Sequence, residues 1–80
     1  MARVVFPTHM LSHTGGEHET EVAARNFREL LDALDARWPG SRSVFMKCAV
    51  AIDGQIHQDA FLEPVGPDSE VFFMQRIEGG

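Results

Sequence analysis

The chain has 80 residues, with 12 acidic against 7 basic side chains and a formal charge of −5 when the histidines are neutral. A chain this short supports one domain and one core, and buries only about 60–65% of the surface its unfolded form exposes. Hydrophobic residues at 44% and charged residues at 24% exclude a disordered or low-complexity chain. The acidic balance argues against nucleic-acid binding, which draws on lysine and arginine to release counterions, and favours partners with basic surfaces. A single cysteine, Cys48, excludes an internal disulfide framework and any Cys-based zinc or iron–sulfur site. The first residues lack the apolar core of a signal peptide, and no apolar run reaches the roughly 20 residues of a membrane helix. The expected address is the cytoplasm, with no membrane partner.

In chain order, Val4-Val5-Phe6 opens a β-rich run that continues through Pro7-Thr8-His9-Met10-Leu11 to the turn-prone Ser12-His13-Thr14-Gly15-Gly16. Residues 17–22 then alternate, with Glu17, Glu19 and Glu21 on one face and His18, Thr20 and Val22 on the other, as in a half-exposed strand. These strands make an N-terminal hairpin. Asn26 predicts a helix start, because Asn26-Phe27-Arg28-Glu29 sets a capping residue three positions ahead of a glutamate that can reach back to the cap's N–H. Phe27, Leu30, Leu31, Leu34 and Trp38 recur at helical spacing. The helix stops at Trp38-Pro39-Gly40, since proline disfavours helical geometry in the residue before it.

The run Val44–Ile52 is apolar on both parities and reads as a central strand. It ends in Asp53-Gly54, a hairpin turn signal, with Gln55-Ile56-His57 returning. After the break at residues 63–69 comes the last strand, Glu70 to Ile77. The order ββαβ, a short irregular stretch, then β, describes an α+β domain in which one helix covers one face of a sheet.

A self-contained active site is missing from this pattern, and no catalytic or metal-binding residue is expected. Cys48 falls inside an apolar strand, where a thiol is inert packing, since a reactive thiolate needs an electropositive, accessible setting. His9, His13 and His18 are close in sequence but fall on different faces of a strand, a loop and a strand. The acidic residues decorate exposed faces. Thr14-Gly15-Gly16 lacks the lysine and helix start of a phosphate loop.

What remains is Ile77-Glu78-Gly79-Gly80. Two glycines after a strand contribute no packing, and they leave a thin arm whose carboxylate can be drawn through a narrow channel. The organisation expected is a domain over residues 1–76 and a flexible tail over 77–80. Such a tail suits adenylation at its carboxylate followed by displacement of AMP by sulfur; a frayed chain end is the alternative. The strand before the tail carries Val71, Phe73 and Ile77 on one face and Phe72, Met74 and Arg76 on the other. One helix covers only one of these rows, so Phe72, Met74 and Arg76, joined by Ile56, form a candidate docking face. The alternative is that Phe72 and Met74 pack beneath residues 59–69.

The segment Ser69 to Gly80 resembles the closing strand and tail of the ubiquitin-like sulfur carriers of the MoaD/ThiS type, and the element order is similar over essentially the whole chain. Val5-Phe6-Pro7-Thr8, Leu11, Thr14-Gly15-Gly16, the helix from Phe27 to Leu34 and its exit Trp38-Pro39-Gly40 are similar to the branch that supplies sulfide to a PLP-dependent cysteine synthase. The chain departs from that pattern at Pro67-Asp68-Ser69, where the family has Asp-Gly-Asp, and at Gln75-Arg76, where proline-containing residues commonly stand.

The resemblance implies a β-grasp fold, a mixed sheet of four to five strands with one main helix. It implies a carrier with no turnover and no bound cofactor. An E1-like enzyme would adenylate Gly80 with ATP, and a sulfurtransferase or sulfide would convert it to a thiocarboxylate. A cysteine synthase-like enzyme or a molybdopterin synthase large subunit would accept the sulfur, and a metalloprotease would trim the tail. By the same resemblance Gly79 and Gly80 thread a partner's active site with Glu78 and Ile77 behind them, Phe72, Met74 and Arg76 dock, and Val71 and Phe73 face the core. Two alternatives stand beside it: a ubiquitin-like modifier joined through Gly80 to lysines, for which Lys47 is this chain's only lysine, and a β-grasp binding module whose glycines are incidental.

Overall fold

Asn26 is where the polypeptide passes from strand to helix. In the computed structural model, which describes residues 1–75, the Asn26 side chain accepts a hydrogen bond from the Glu29 N–H at 2.8 Å, and helix α1 runs Phe27–Arg37. The Glu29 carboxylate does not close the box on Asn26 as expected. It accepts instead from the Arg25 backbone N–H at 2.9 Å and from the Arg25 guanidinium at 3.0 Å. The other free donors of the first turn are taken by the connection that follows the β-hairpin of residues 49–57, with Phe27 N–H bonding Glu63 O at 2.9 Å and Arg28 N–H bonding Phe61 O at 3.1 Å. Trp38 N–H closes the far end on Leu34 O. The chain then turns at Gly40, whose φ of 90° favours glycine, and Asp35 accepts from the N–H groups of Gly40 and Arg42 at the start of a short helix α2, Ser41–Phe45.

Two predicted strands are corrected here. The first, β1, spans only Ala2–Val5; Thr8–His13 is a 3₁₀ helix. Pro7 has no N–H for a ladder, and its carbonyl accepts from Met10 N–H at 3.0 Å. The apolar run 44–52 is likewise divided, its first part belonging to α2 and only β3, Ala49–Ile52, being strand. Phe45 is fully buried from the helical layer, so its apolarity reflects core packing rather than a pleat.

The remaining strands are β2 (Glu19–Val22), β4 (Gln55–His57) and β5 (Glu70–Met74). They form one five-stranded mixed sheet in the order β2-β1-β5-β3-β4, with β1 and β5 parallel and every other pair antiparallel. Asp53 and Gly54 both have positive φ, 50° and 85°, as the two-residue turn between β3 and β4 requires. α1 lies on one face with Phe27, Leu30, Leu31 and Leu34 buried. Phe6, Phe45 and Phe73 stack between helix layer and sheet, with centroids 4.7 to 6.0 Å apart. No helix among the described residues is long and apolar enough to cross a membrane. The boundary expected at residue 76 and the tail 77–80 lie outside the described residues.

Candidate docking face

Alternation along β5 sorts its side chains. Val71 and Phe73 are buried beneath α1, whereas Phe72, 38% exposed, points to the uncovered side. Register carries that side across the sheet: Val5 of β1 and Ala51 of β3 both pair with Phe72, and Ala51 pairs in turn with Ile56 of β4. Val5, Phe72, Ala51 and Ile56 therefore form one row on one face, about 14 Å long at the usual strand spacing. Ile56 is 63% exposed, and half-buried Met74 lies on the same face opposite Ala49. Residues 59–69 do not cover this row. They run beside the start of α1, with Ala60 and Val65 in the core and Val65 N–H bonding Arg25 O at 3.0 Å.

The border of the row is acidic. Arg3 pairs in register with Glu70 and Glu21 on this same face, and its guanidinium bridges Glu19 at 2.6 Å and Glu70 at 2.8 Å. Hydrogen bonding to Arg3, then its charge, holds the Glu19 carboxyl below the usual range; the same contacts raise Arg3. One cation among Glu19, Glu21 and Glu70 leaves the border net negative.

The start of β5 is pinned from below. Asp53 accepts from the Ser69 hydroxyl at 2.7 Å and from Glu70 N–H at 2.9 Å, and its own N–H donates to Glu70 O at 2.9 Å. Ser69 Oγ accepts in turn from Gly66 N–H at 2.8 Å. The Ser69 bond, followed by the Glu70 N–H, holds the Asp53 carboxyl below its ordinary range. Nothing in the sequence pattern marks Arg3, Asp53 or Ser69 for these roles: aspartate before glycine is already explained by its turn, and the partners of Arg3 are 16 and 67 residues away.

The other candidates are dispersed. His9, His13 and His18 are exposed, and among the described residues no three His, Cys, Asp or Glu side chains gather to hold a metal ion. Cys48 sits in the turn before β3, not inside a strand. Its Sγ lies 3.4 Å from Met10 Sδ and 3.6 Å from Val44 O, and burial pushes the thiol pKa up. Arg76, Ile77, Glu78, Gly79 and Gly80 lie outside the described residues.

No family model and no curated protein matches the sequence. Solved structures do share the fold. A chain of the Amycolatopsis orientalis BexX/CysO complex superposes with a TM-score of 0.82 at 21% identity, covering all of both chains. CysO of Mycobacterium tuberculosis, described as an antigen, reaches 0.85 at 13% identity over 96% of this chain and 100% of its own. The small archaeal modifier protein 1 (SAMP1) of Methanosarcina acetivorans reaches 0.78 at 14% identity over 99% of this chain and 95% of its own. The five-stranded mixed sheet with one main helix is thus the β-grasp architecture that the sequence resemblance implied.

Proposed function

We propose that the chain is a sulfur carrier, acted on by larger enzymes and turning over nothing itself. Phe72 carries the reading: a large apolar side chain stands exposed on the uncovered face of β5, the strand whose sequence leads directly to Gly79-Gly80. The full-length likeness to CysO and SAMP1 chains supports a carrier of this architecture. In the proposed reaction the Gly80 carboxylate attacks the α-phosphorus of ATP on an E1-like enzyme, releasing pyrophosphate. Sulfide, free or delivered by a sulfurtransferase, then displaces AMP and leaves a terminal thiocarboxylate. Gly79, Glu78 and Ile77 thread the partner's channel while Phe72, Met74, Arg76 and Ile56 dock. A biosynthetic enzyme of the cysteine synthase or molybdopterin synthase kind takes the sulfur, and the work is cytoplasmic. The BexX/CysO complex offers a precedent for a chain of this fold held by a second protein.

The test is intact-mass spectrometry after incubation with the E1-like enzyme, ATP and sulfide. The expected result is the gain of one sulfur for one oxygen, abolished by deleting Gly80. No gain with the cognate activating enzyme overturns the reading. The name of SAMP1, a modifier protein, favours a second reading in which the same adenylate is passed to a lysine of another protein. Gly80-dependent covalent ladders on blots distinguish it.

A further inference from the structure

Between α1, the turn before β3 and residues 58–61 lies a cleft of about 160 Å³, which Phe27, Leu31, Val50 and Cys48 line together with Met46 and Phe61. It is an open cleft with room for one ring-sized side chain, and Gln58, Asp59 and Ala60 complete its lining. Phe61 and Asp59 also line the adjoining depression, with Leu62 and Glu63. Met46 is 51% and Leu62 78% exposed, so the apolar strip continues onto the surface on either side of Phe61. α1 and the inward-facing Val50 contribute to the cleft, which therefore belongs to the helical layer, away from Phe72.

The ionised side chains that line it have one sign, although Lys47 follows Met46 in sequence and Arg42 stands near Phe61. Every ionised side chain lining the cleft and its extension is a carboxylate, Asp59 in both and Glu63 in the second. Arg42, whose guanidinium stands 5.9 Å from the Phe61 ring centroid, is already paired with Asp32, and Glu63 faces His57 Nδ1 at 3.3 Å. A hole for one ring or aliphatic chain, beside an exposed apolar strip edged with carboxylates, has the make-up of an anchor pocket in a small protein interface.

We infer that this cleft is a second docking site, taking one aliphatic or aromatic side chain from a partner segment that bears lysine or arginine beside it. It opens on the helical side of the sheet, opposite the Phe72 face, so one molecule can hold one protein on the sheet and a second on the helical side.

The probe is acetyl-Lys-Lys-Phe-Leu-Lys-amide, titrated into the ¹⁵N-labelled full chain, with acetyl-Glu-Glu-Phe-Leu-Glu-amide as its charge-reversed counterpart. Saturable shifts confined to amides 46–48 and 58–62 are expected, with apparent affinity at least fivefold weaker for the acidic peptide and for the Leu62→Lys variant. Leu62 is exposed enough for that change to leave the fold intact, which the fluorescence of Trp38 checks. Absence of saturable shifts at those amides, an equal response to both peptides, or shifts centred on Phe72 overturns the inference.

Discussion

The Ser69 hydroxyl donates to the Asp53 carboxylate across 2.7 Å, joining the tip of one hairpin to the residue that precedes β5, the strand of the candidate docking face. Ser69 is almost fully buried, and its oxygen also receives the Gly66 N–H. Ser69→Ala removes a donor and strands an acceptor-seeking amide, at a cost of about 1–2 kcal/mol. Thermal unfolding should fall by several degrees, roughly 4–8 °C per kcal/mol for a domain of this size.

The same pair sets a pH dependence. Asp53 has its carboxyl pKa lowered on folding, so the unfolded chain binds the proton more readily. The stability it adds is present above the unfolded value of about 3.9 and is lost as pH falls through the lower folded value. Glu19 and Glu29, also lowered, act in the same direction. Urea midpoints measured from pH 7 down to pH 2 should decline on the acid side, and Asp53→Asn should flatten part of that decline.

Neighbouring phenylalanines should separate binding from folding. Phe73 is buried against Phe6, Phe27 and Phe45, and Phe73→Ala is expected to cost about 3–5 kcal/mol, enough to unfold a large share of so small a domain. Phe72→Asp should leave the urea midpoint close to wild type while raising the KM for this protein in pyrophosphate exchange by an E1-like enzyme at least tenfold. Equal loss of stability in both variants would remove Phe72 from the docking role.

Cys48 should behave as a guarded thiol. Its raised pKa and partial burial predict alkylation by iodoacetamide at pH 7.5 at least tenfold slower than in the same chain in urea. A native rate equal to the unfolded one would show that the Met10 contact does not shield it.

Asn26 is a test of the helix start. Asn26→Ala removes the bond to Glu29 N–H and should lower stability by about 1 kcal/mol, while Asn26→Gly should cost only a few tenths. Circular dichroism during chemical unfolding reads both.

What the sequence disclosed of this fold is what local spacing controls. The Asn26 cap, the leucines of α1, the Asp53-Gly54 turn and the in-out alternation of Val71, Phe72 and Phe73 are each set within a few residues, and each stands where predicted. The failures arise where distant partners decide. Pro7-Thr8-His9 could extend a strand until Pro7 leaves the ladder, and Val44-Phe45 could be pleated or helical, since both bury apolar surface. Glu29 takes the Arg25 N–H and guanidinium in place of the Asn26 N–H, a choice between adjacent donors that spacing alone does not resolve. The sequence suggests that Ile56 joins Phe72 on one face, but their alignment in one row comes from register through Ala51.

The central place of β5 governs the order in which the molecule can be finished. Without it, β1–β2 and β3–β4 are two separate hairpins, each marginal alone in water, and the strand that joins them is the last of the five to leave the ribosome. Phe72 cannot lie between Val5 and Ala51 until that strand has inserted. A partner that recognises the assembled row therefore inspects completeness as well as identity, and a nascent or partly unfolded copy would not be engaged.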